Sequence, residues 1–130
     1  VFALDTNTLI YFFKGLGQVK QRLLSTAPAD ILIPSIVLYE LEVGILQSTH
    51  AQKRRAQLDS LTSTVNILNF GRHTARRAAE IQSMLNKLGK PIGPTDTLIA
   101  AIAMEHGATL VTHNTAHFER VAGLRLEDWF

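Results

Sequence analysis

The sequence predicts an α/β fold, a three-layer α/β/α sandwich around a parallel sheet, and two observations carry that expectation. Short β-branched or aliphatic runs alternate with longer helical stretches almost from end to end. That order feeds strand–helix–strand crossovers and covers both faces of a sheet. In addition, 130 residues with 46% hydrophobic content are enough for one core and too few for two ordinary ones. Residues 1–130 are therefore read as a single domain, with no linker, internal repeat or low-complexity tract.

Phe2-Ala3-Leu4 is an apolar run ending at Asp5-Thr6-Asn7, a strand running into a helix cap. Leu9 to Phe13 continues as a short helix that Lys14 to Gly17 breaks, and Gln18 to Ser25 forms a second helix. Ile31-Leu32-Ile33-Pro34 is the second strand, with Ser35 expected to cap a helix running to about Gln47. Ala51 to Leu61 is a polar helix carrying Lys53, Arg54 and Arg55 on its outside, and Val65 to Leu68 is the third strand. His73 to Leu88 has Ala75, Ala78, Ala79, Ile81, Met84, Leu85 and Leu88 as its apolar positions and stops at Gly89 and Pro91. Thr95 to Glu105 is a further helix, closed by Gly107 just past its end. Thr109 to Val111 is the fourth strand and Leu124-Arg125-Leu126 a candidate fifth.

Composition narrows the function classes. Cysteine is absent, which removes disulfide frameworks and thiolate zinc sites and suits a reducing cytoplasm. No apolar run reaches the ~18 to 20 residues that cross a bilayer, and Val1 to Leu4 run straight into Asp5, so they make no signal-peptide core. A net charge of +2 and a pI of about 9.2 are compatible with a polyanionic partner. No Ser sits in a G-x-S-x-G elbow, so covalent hydrolase schemes lack support.

The acids are more informative, because Asp5, Glu40 and Asp96 each interrupt strongly apolar text. In open parallel sheets ligands bind beyond the carboxyl ends of the strands. Asp5 closes the first strand, Asn114 follows the fourth, Glu40 lies in the helix after the second, and Asp96 opens the helix before the fourth. On that helix Ala100, Ala103 and Gly107 share the face of Asp96 within about 40°, a small-residue stripe that predicts Asp96 deep in a cleft. Each acid has a plainer reading as well. Asp5 and Asp96 stand where caps and dipole partners stand. Glu40 and Glu42 flank the Leu41 face symmetrically, so the helix wheel does not choose between them. Taken together, three carboxylates in one cleft repel one another unless a hard divalent cation joins them.

The motifs themselves are familiar. Leu4-Asp5-Thr6-Asn7, Tyr39-Glu40-Leu41-Glu42-Val43-Gly44, Pro91-Ile92-Gly93-Pro94-Thr95-Asp96 continuing to Ala101, and Leu110-Val111-Thr112-His113-Asn114 occur in this order. The set resembles PIN domains. With Phe118-Glu119-Arg120-Val121-Ala122-Gly123-Leu124 and Asp128-Trp129, the whole chain resembles the VapC-like toxins of type II toxin–antitoxin systems. The resemblance implies a parallel five-stranded sheet between helices and a bacterial, cytoplasmic endoribonuclease dependent on Mg²⁺ or Mn²⁺. Such an enzyme hydrolyses RNA with an activated water, leaving a 5′-phosphate and a 3′-hydroxyl.

Carried over by motif, the resemblance makes Asp5, Glu40 and Asp96 the metal ligands, with Asn114 in a supporting role. Glu40 is chosen over Glu42 because it holds the family's acidic position, with Gly44 four residues on. Thr6 and Thr112 would orient the ligands. Of the basic residues that could contact RNA phosphates, Lys53-Arg54-Arg55, Arg72, Arg76, Arg77 and Lys87 read mainly as solvated helix faces, and Lys14 and Lys90, in loops flanking motif helices, are the better candidates. The five histidines have no obligatory part in this chemistry, and His113 and His117, although four residues apart, lie around a loop. The resemblance further implies a homodimer and a VapB-like antitoxin whose tail lies over the acidic cleft, with operator DNA bound only through the antitoxin. An apolar groove between the helices of Thr6 to Ser25 and Ser35 to Gln47 is the expected docking place. A PIN-like RNA-binding or scaffolding module without catalysis is the alternative. A receiver domain lacks its acid pair and its acceptor, and Gly15-Leu16-Gly17 follows a helix where a dinucleotide fingerprint follows a strand.

Overall fold

The computed structural model describes every residue from Val1 to Phe130. Its strands are β1 (Phe2–Leu4), β2 (Ile31–Pro34), β3 (Asn66–Leu68), β4 (Thr109–Val111) and β5 (Leu126–Glu127). They form one sheet in the order β3-β2-β1-β4-β5, and every neighbouring pair is parallel. Successive strand residues point to opposite faces, yet Ala3, Leu4, Ile31, Leu32, Ile33, Leu110 and Val111 are all buried. Both faces are therefore covered, as a three-layer sandwich requires.

The helices are α1 (Thr6–Lys14), α2 (Val19–Leu24), α3 (Ser35–Leu46), α4 (Ala51–Thr62), α5 (Arg72–Lys87), α6 (Pro94–Glu105) and α7 (Thr115–Phe118). None is long and apolar enough to cross a membrane. α6 is buried almost all round through Ile99, Ala100, Ala101, Ile102 and Ala103, and the alanines let it lie close to its neighbours. Gly107 follows α6 with φ +60°, the left-handed residue expected there. Gly17 has φ +62°, and a Cβ on it would stand 2.7 Å from the Phe130 carbonyl oxygen. This close approach lets the Gln18 amide donate to that same oxygen at 2.9 Å.

Four sequence expectations are corrected. Ser35 is the first residue of α3 and caps nothing; Pro34 holds the cap position without a side-chain bond. β2 runs through Pro34, which pairs with Leu68, so no residue is left between strand and helix for a serine cap. The buried stripe of α5 is Thr74, Ala78 and Leu85, with Ile81 half-buried, whereas Ala75, Ala79, Met84 and Leu88 are exposed. The face is narrower than the apolar text suggests because α5 rests mainly on one neighbour, α6. β5 starts at Leu126 because the Leu124 amide is used in a turn to the Val121 carbonyl at 3.3 Å. Finally, α7 is an additional short helix after β4.

The order of the sheet positions everything that follows. β1 sits centrally, with β2 on one side and β4 on the other, and the chain's progress across the sheet reverses at this place. A crevice opens there beyond the strand ends. Asp5 leaves β1 and α3 leaves β2 on this edge, while Thr112 to Asn114 follow β4.

Candidate active site

Asp5 stands at the centre of the crevice. It caps α1, its Oδ1 accepting the Thr8 amide at 2.9 Å, and it is only 7% exposed. The capping reading and the cleft reading therefore describe the same carboxylate. Burial pushes its pKa above the ordinary carboxylate value, hydrogen bonds from Thr112 and Thr8 pull it back in part, and the nearby Asp96 charge raises it again. No Lys, Arg or His pairs with it. Thr112 is fully buried beside it and accepts the Asn114 amide at 3.0 Å, which links Asp5 to the turn after β4.

Asp96 lies in the first turn of α6, where the helix dipole favours a negative charge. Its side chain is 36% exposed, so it occupies the rim of the cleft and not the deep position the small-residue stripe predicts. The stripe does bury Ala100 and Ala103, but Asp96 is more than a helical turn further toward the open edge. One of its oxygens, Oδ2, lies 3.0 Å from His117 Nε2, which also lies 2.9 Å from the Ile92 carbonyl oxygen. His117 is the cleft residue that sequence reasoning passed over. Its spacing from His113 was visible, but α7, which aims it, was not.

Glu40 and Glu42, equivalent on the helix wheel, are separated by their partners. Glu40 Oε1 accepts the Thr6 hydroxyl at 2.5 Å, tying α3 to the start of α1. Glu42 binds Arg55 at 2.6 Å on an exposed face, and that hydrogen bond lowers its pKa. Glu40 also borders a groove of about 220 Å³ between α1 and α3, with Ile10, Phe13, Leu41, Ile45 and Lys14. Arg54 closes one side of this groove while donating to the Phe13 carbonyl at 3.2 Å.

The expected meeting of three carboxylates is corrected in one respect: no three acid or histidine side chains close on a common point. Asp5 feels the charge of Asp96, whereas Glu40 is held aside by Thr6 and Asp96 is held by His117. Asn114 is exposed and caps α7 without a side-chain bond. Lys14 borders the groove beside Glu40, but Lys90 lines a different cavity, of about 640 Å³, with Arg120 and Ala116. The two lysines are not brought together. His113 is bonded to Asp128 at 2.9 Å and stacked on Phe130.

The donor set nevertheless fits a hard divalent cation. It is made of oxygens, and its central carboxylate is buried, uncompensated by any cation and repelled by Asp96. Mg²⁺ needs only one or two carboxylates and keeps several waters, so it does not demand a closed cage of three.

Comparison with known proteins agrees with this layout. The PIN domain family model matches residues 2–124. The tRNA(fMet)-specific endonuclease VapC of Shigella flexneri is 34% identical over 128 residues, covering 98% of this chain and 97% of that protein. Ribonuclease VapC1 of Haemophilus influenzae strain R2866 is 32% identical, covering 99% and 98%. Among solved structures, VapBC2 from Rickettsia felis bound to a promoter DNA fragment superposes with a TM-score of 0.91 at 34% identity, covering 99% of this chain and 98% of that one. DNA-bound VapBC from Salmonella typhimurium gives 0.91 at 33% identity, with the same coverage. A match over nearly the whole length in both sequence and fold means that this chain belongs to the PIN domain family, in its VapC group.

Proposed function

We propose that the chain is the endoribonuclease toxin of a VapBC-like toxin–antitoxin pair, acting as a single PIN domain on RNA with Mg²⁺ or Mn²⁺. The observation that carries this reading is the buried Asp5 carboxylate, which feels the negative charge of Asp96 and has no Lys, Arg or His paired with it. Asp5, Asp96 and Glu40 would hold the ion, and Asn114 would act beside it through water. When bound, such an ion offsets charge on the phosphodiester and activates a water for in-line attack.

The chain's own groups do the remaining work. Thr112 and Thr8 fix the direction of the Asp5 carboxylate, and Thr6 fixes Glu40. The Thr112 and Thr6 hydroxyls and the Thr8 amide are neutral donors that satisfy the acids without supplying positive charge, so the affinity of the cleft for a cation is kept. Lys14, exposed beside Glu40, is placed to take a backbone phosphate, and Lys90 would contact a more distant part of the RNA.

The apolar groove between α1 and α3 ends at Glu40 and supports docking of an antitoxin tail there. A cationic side chain from such a tail would oppose the acids in place of the ion. Operator DNA would then be bound through the antitoxin, a reading supported by the VapBC assemblies of Rickettsia felis and Salmonella typhimurium having been solved with DNA bound. Tyr39, Val43 and Leu46 form an exposed apolar stripe on α3, which supports a homodimer. A cytoplasmic location accords with this partnership.

The test is incubation of the purified chain with structured RNAs, tRNA included, in Mg²⁺ or Mn²⁺, with EDTA and Asp96→Asn controls. Cleavage giving 5′-phosphate ends, lost with EDTA and in the variant, is the expected result. Absence of cleavage together with absence of Mn²⁺ binding by calorimetry would return the chain to the non-catalytic alternative.

A further inference from the structure

We infer that His117 is a positioning residue: its Nε2–H holds the Asp96 carboxylate and the Ile92 carbonyl together, presenting Asp96 to the cation in one orientation. The inference rests on the nuclease reading above and adds to it a residue outside the acid set. Asp96 Oδ2 and the Ile92 oxygen lie 3.0 and 2.9 Å from the same ring nitrogen. Both are acceptors, so Nε2 carries the hydrogen, and it does so in the neutral ring as well as in the charged one. The role therefore requires no change of protonation.

What His117 grips is the segment leading into α6. That segment passes through Gly93, at φ +94°, and Pro94, the first residue of the helix. Arg120 donates to the Pro91 carbonyl at 3.1 Å, so α7 and Arg120, two residues past its end, clip two successive carbonyls of this turn. The clip has a firm base. Phe118 is 2% exposed, and the His117 ring lies edge-on against it at 5.4 Å. The His117 and Phe118 amides donate to the Asn114 carbonyl at 3.2 and 3.3 Å. Asn114 and Asp96, far apart in sequence, are thus joined through a single turn of helix. A rim carboxylate that is one-third exposed would otherwise sample several rotamers and lose that freedom on binding an ion.

Groups that orient a metal ligand typically contribute about 10- to 100-fold to affinity or activity. The experiment compares wild type, His117→Gln, His117→Leu and His117→Asn by Mn²⁺ calorimetry, RNA cleavage and thermal unfolding. Gln can place an N–H where Nε2 stands, Leu keeps bulk without a donor, and Asn is too short to reach both oxygens. The Leu variant is expected to weaken Mn²⁺ binding and lower kcat, each by about 10- to 100-fold, with KM within about twofold and Tm little changed. Gln is expected to recover most of both losses. If Leu does not fold, Asn carries the comparison and should show the same loss. Mn²⁺ affinity and kcat that are unchanged in Leu or Asn, or a loss that Gln fails to recover, would overturn the positioning role while leaving the nuclease reading intact. Failure of the wild type itself to bind Mn²⁺ would overturn both.

Discussion

Replacing Asp5 by Asn separates what this residue does for the fold from what it does for a cation. The Thr8 amide is accepted by Asp5 Oδ1 at 2.9 Å, and Asn caps helices about as well as Asp, so a cap contribution of about 1 kcal/mol is retained. The charge acts in the opposite direction. It is 7% exposed and its pKa is raised chiefly by burial, so without a cation the ionised carboxylate destabilises the fold at neutral pH. The metal-free variant is therefore expected to melt no lower than metal-free wild type. A divalent cation reverses the ranking. At a hundred times its Kd a ligand adds about 2.7 kcal/mol to the folded state, which at roughly 4 °C per kcal/mol for a chain of this size raises Tm by about 10 °C. Only the wild type should show that rise. Scanning fluorimetry of both proteins in EDTA and in increasing Mn²⁺ measures both effects, with RNA cleavage alongside. A variant melting more than about 4 °C below wild type in EDTA would mean that the Asp5 charge is satisfied within the protein. An equal Mn²⁺ shift in the two proteins would remove Asp5 from the cation site.

The two glutamates of α3 give a direct contrast: Glu40→Gln is expected to reduce RNA cleavage by about a hundredfold or more, whereas Glu42→Gln, which loses only an exposed pair with Arg55, should cleave like wild type. Equal effects would undo the choice of Glu40. The pH dependence follows from the raised pKa of Asp5. The folded state binds this proton more tightly than the unfolded chain, so its contribution to stability is least unfavourable below the ordinary carboxylate value of 3.8 and worsens as pH rises through the folded pKa. In EDTA, the Tm of wild type minus that of Asp5→Asn should accordingly become more negative from acid toward neutral pH, and a flat difference would contradict the burial argument. Trp129 is 2% exposed, lies 5.1 Å from the Phe2 ring and donates to Glu127 at 2.9 Å. Trp129→Ala should therefore lose about 3–5 kcal/mol in urea unfolding, and a loss below about 1 kcal/mol would show that the C-terminal segment is not part of the core.

Most of the fold was legible because strand and helix leave different periods in the text. Ile31 to Pro34 and Thr109 to Val111 read as strands without ambiguity and are found at those bounds. What escaped depends on contacts between distant residues. α7 has four residues, too few for a periodic signal, and Met84 looks like core until the position of α6 shows that nothing covers it. The motifs pointed to Asp5 and Asp96, and the structure brings the charge of one to bear on the other. Local sequence could not choose between Glu40 and Glu42, because the choice lies in Thr6 and Arg55, which are 34 and 13 residues away. Nor could it reveal His117 beside Asp96, a contact spanning 21 residues. The depth of Asp96 was overestimated because a small-residue stripe reports how closely a helix packs and not which end of it meets solvent.

The placement of β1 between β2 and β4 also bears on when such an enzyme becomes dangerous to the cell that makes it. The Thr8 hydroxyl beside Asp5 donates to the Val111 carbonyl, 103 residues downstream, and Asp96 and Asn114 both come from the last third of the chain. A nascent chain on the ribosome carries Asp5 and Glu40 early but cannot form the central pairing of its sheet until β4 has emerged. Synthesis from the N-terminus thus leaves the cleft incomplete until β4 and the residues after it have been made. That delay leaves an interval in which an antitoxin can already be present when its target first becomes competent.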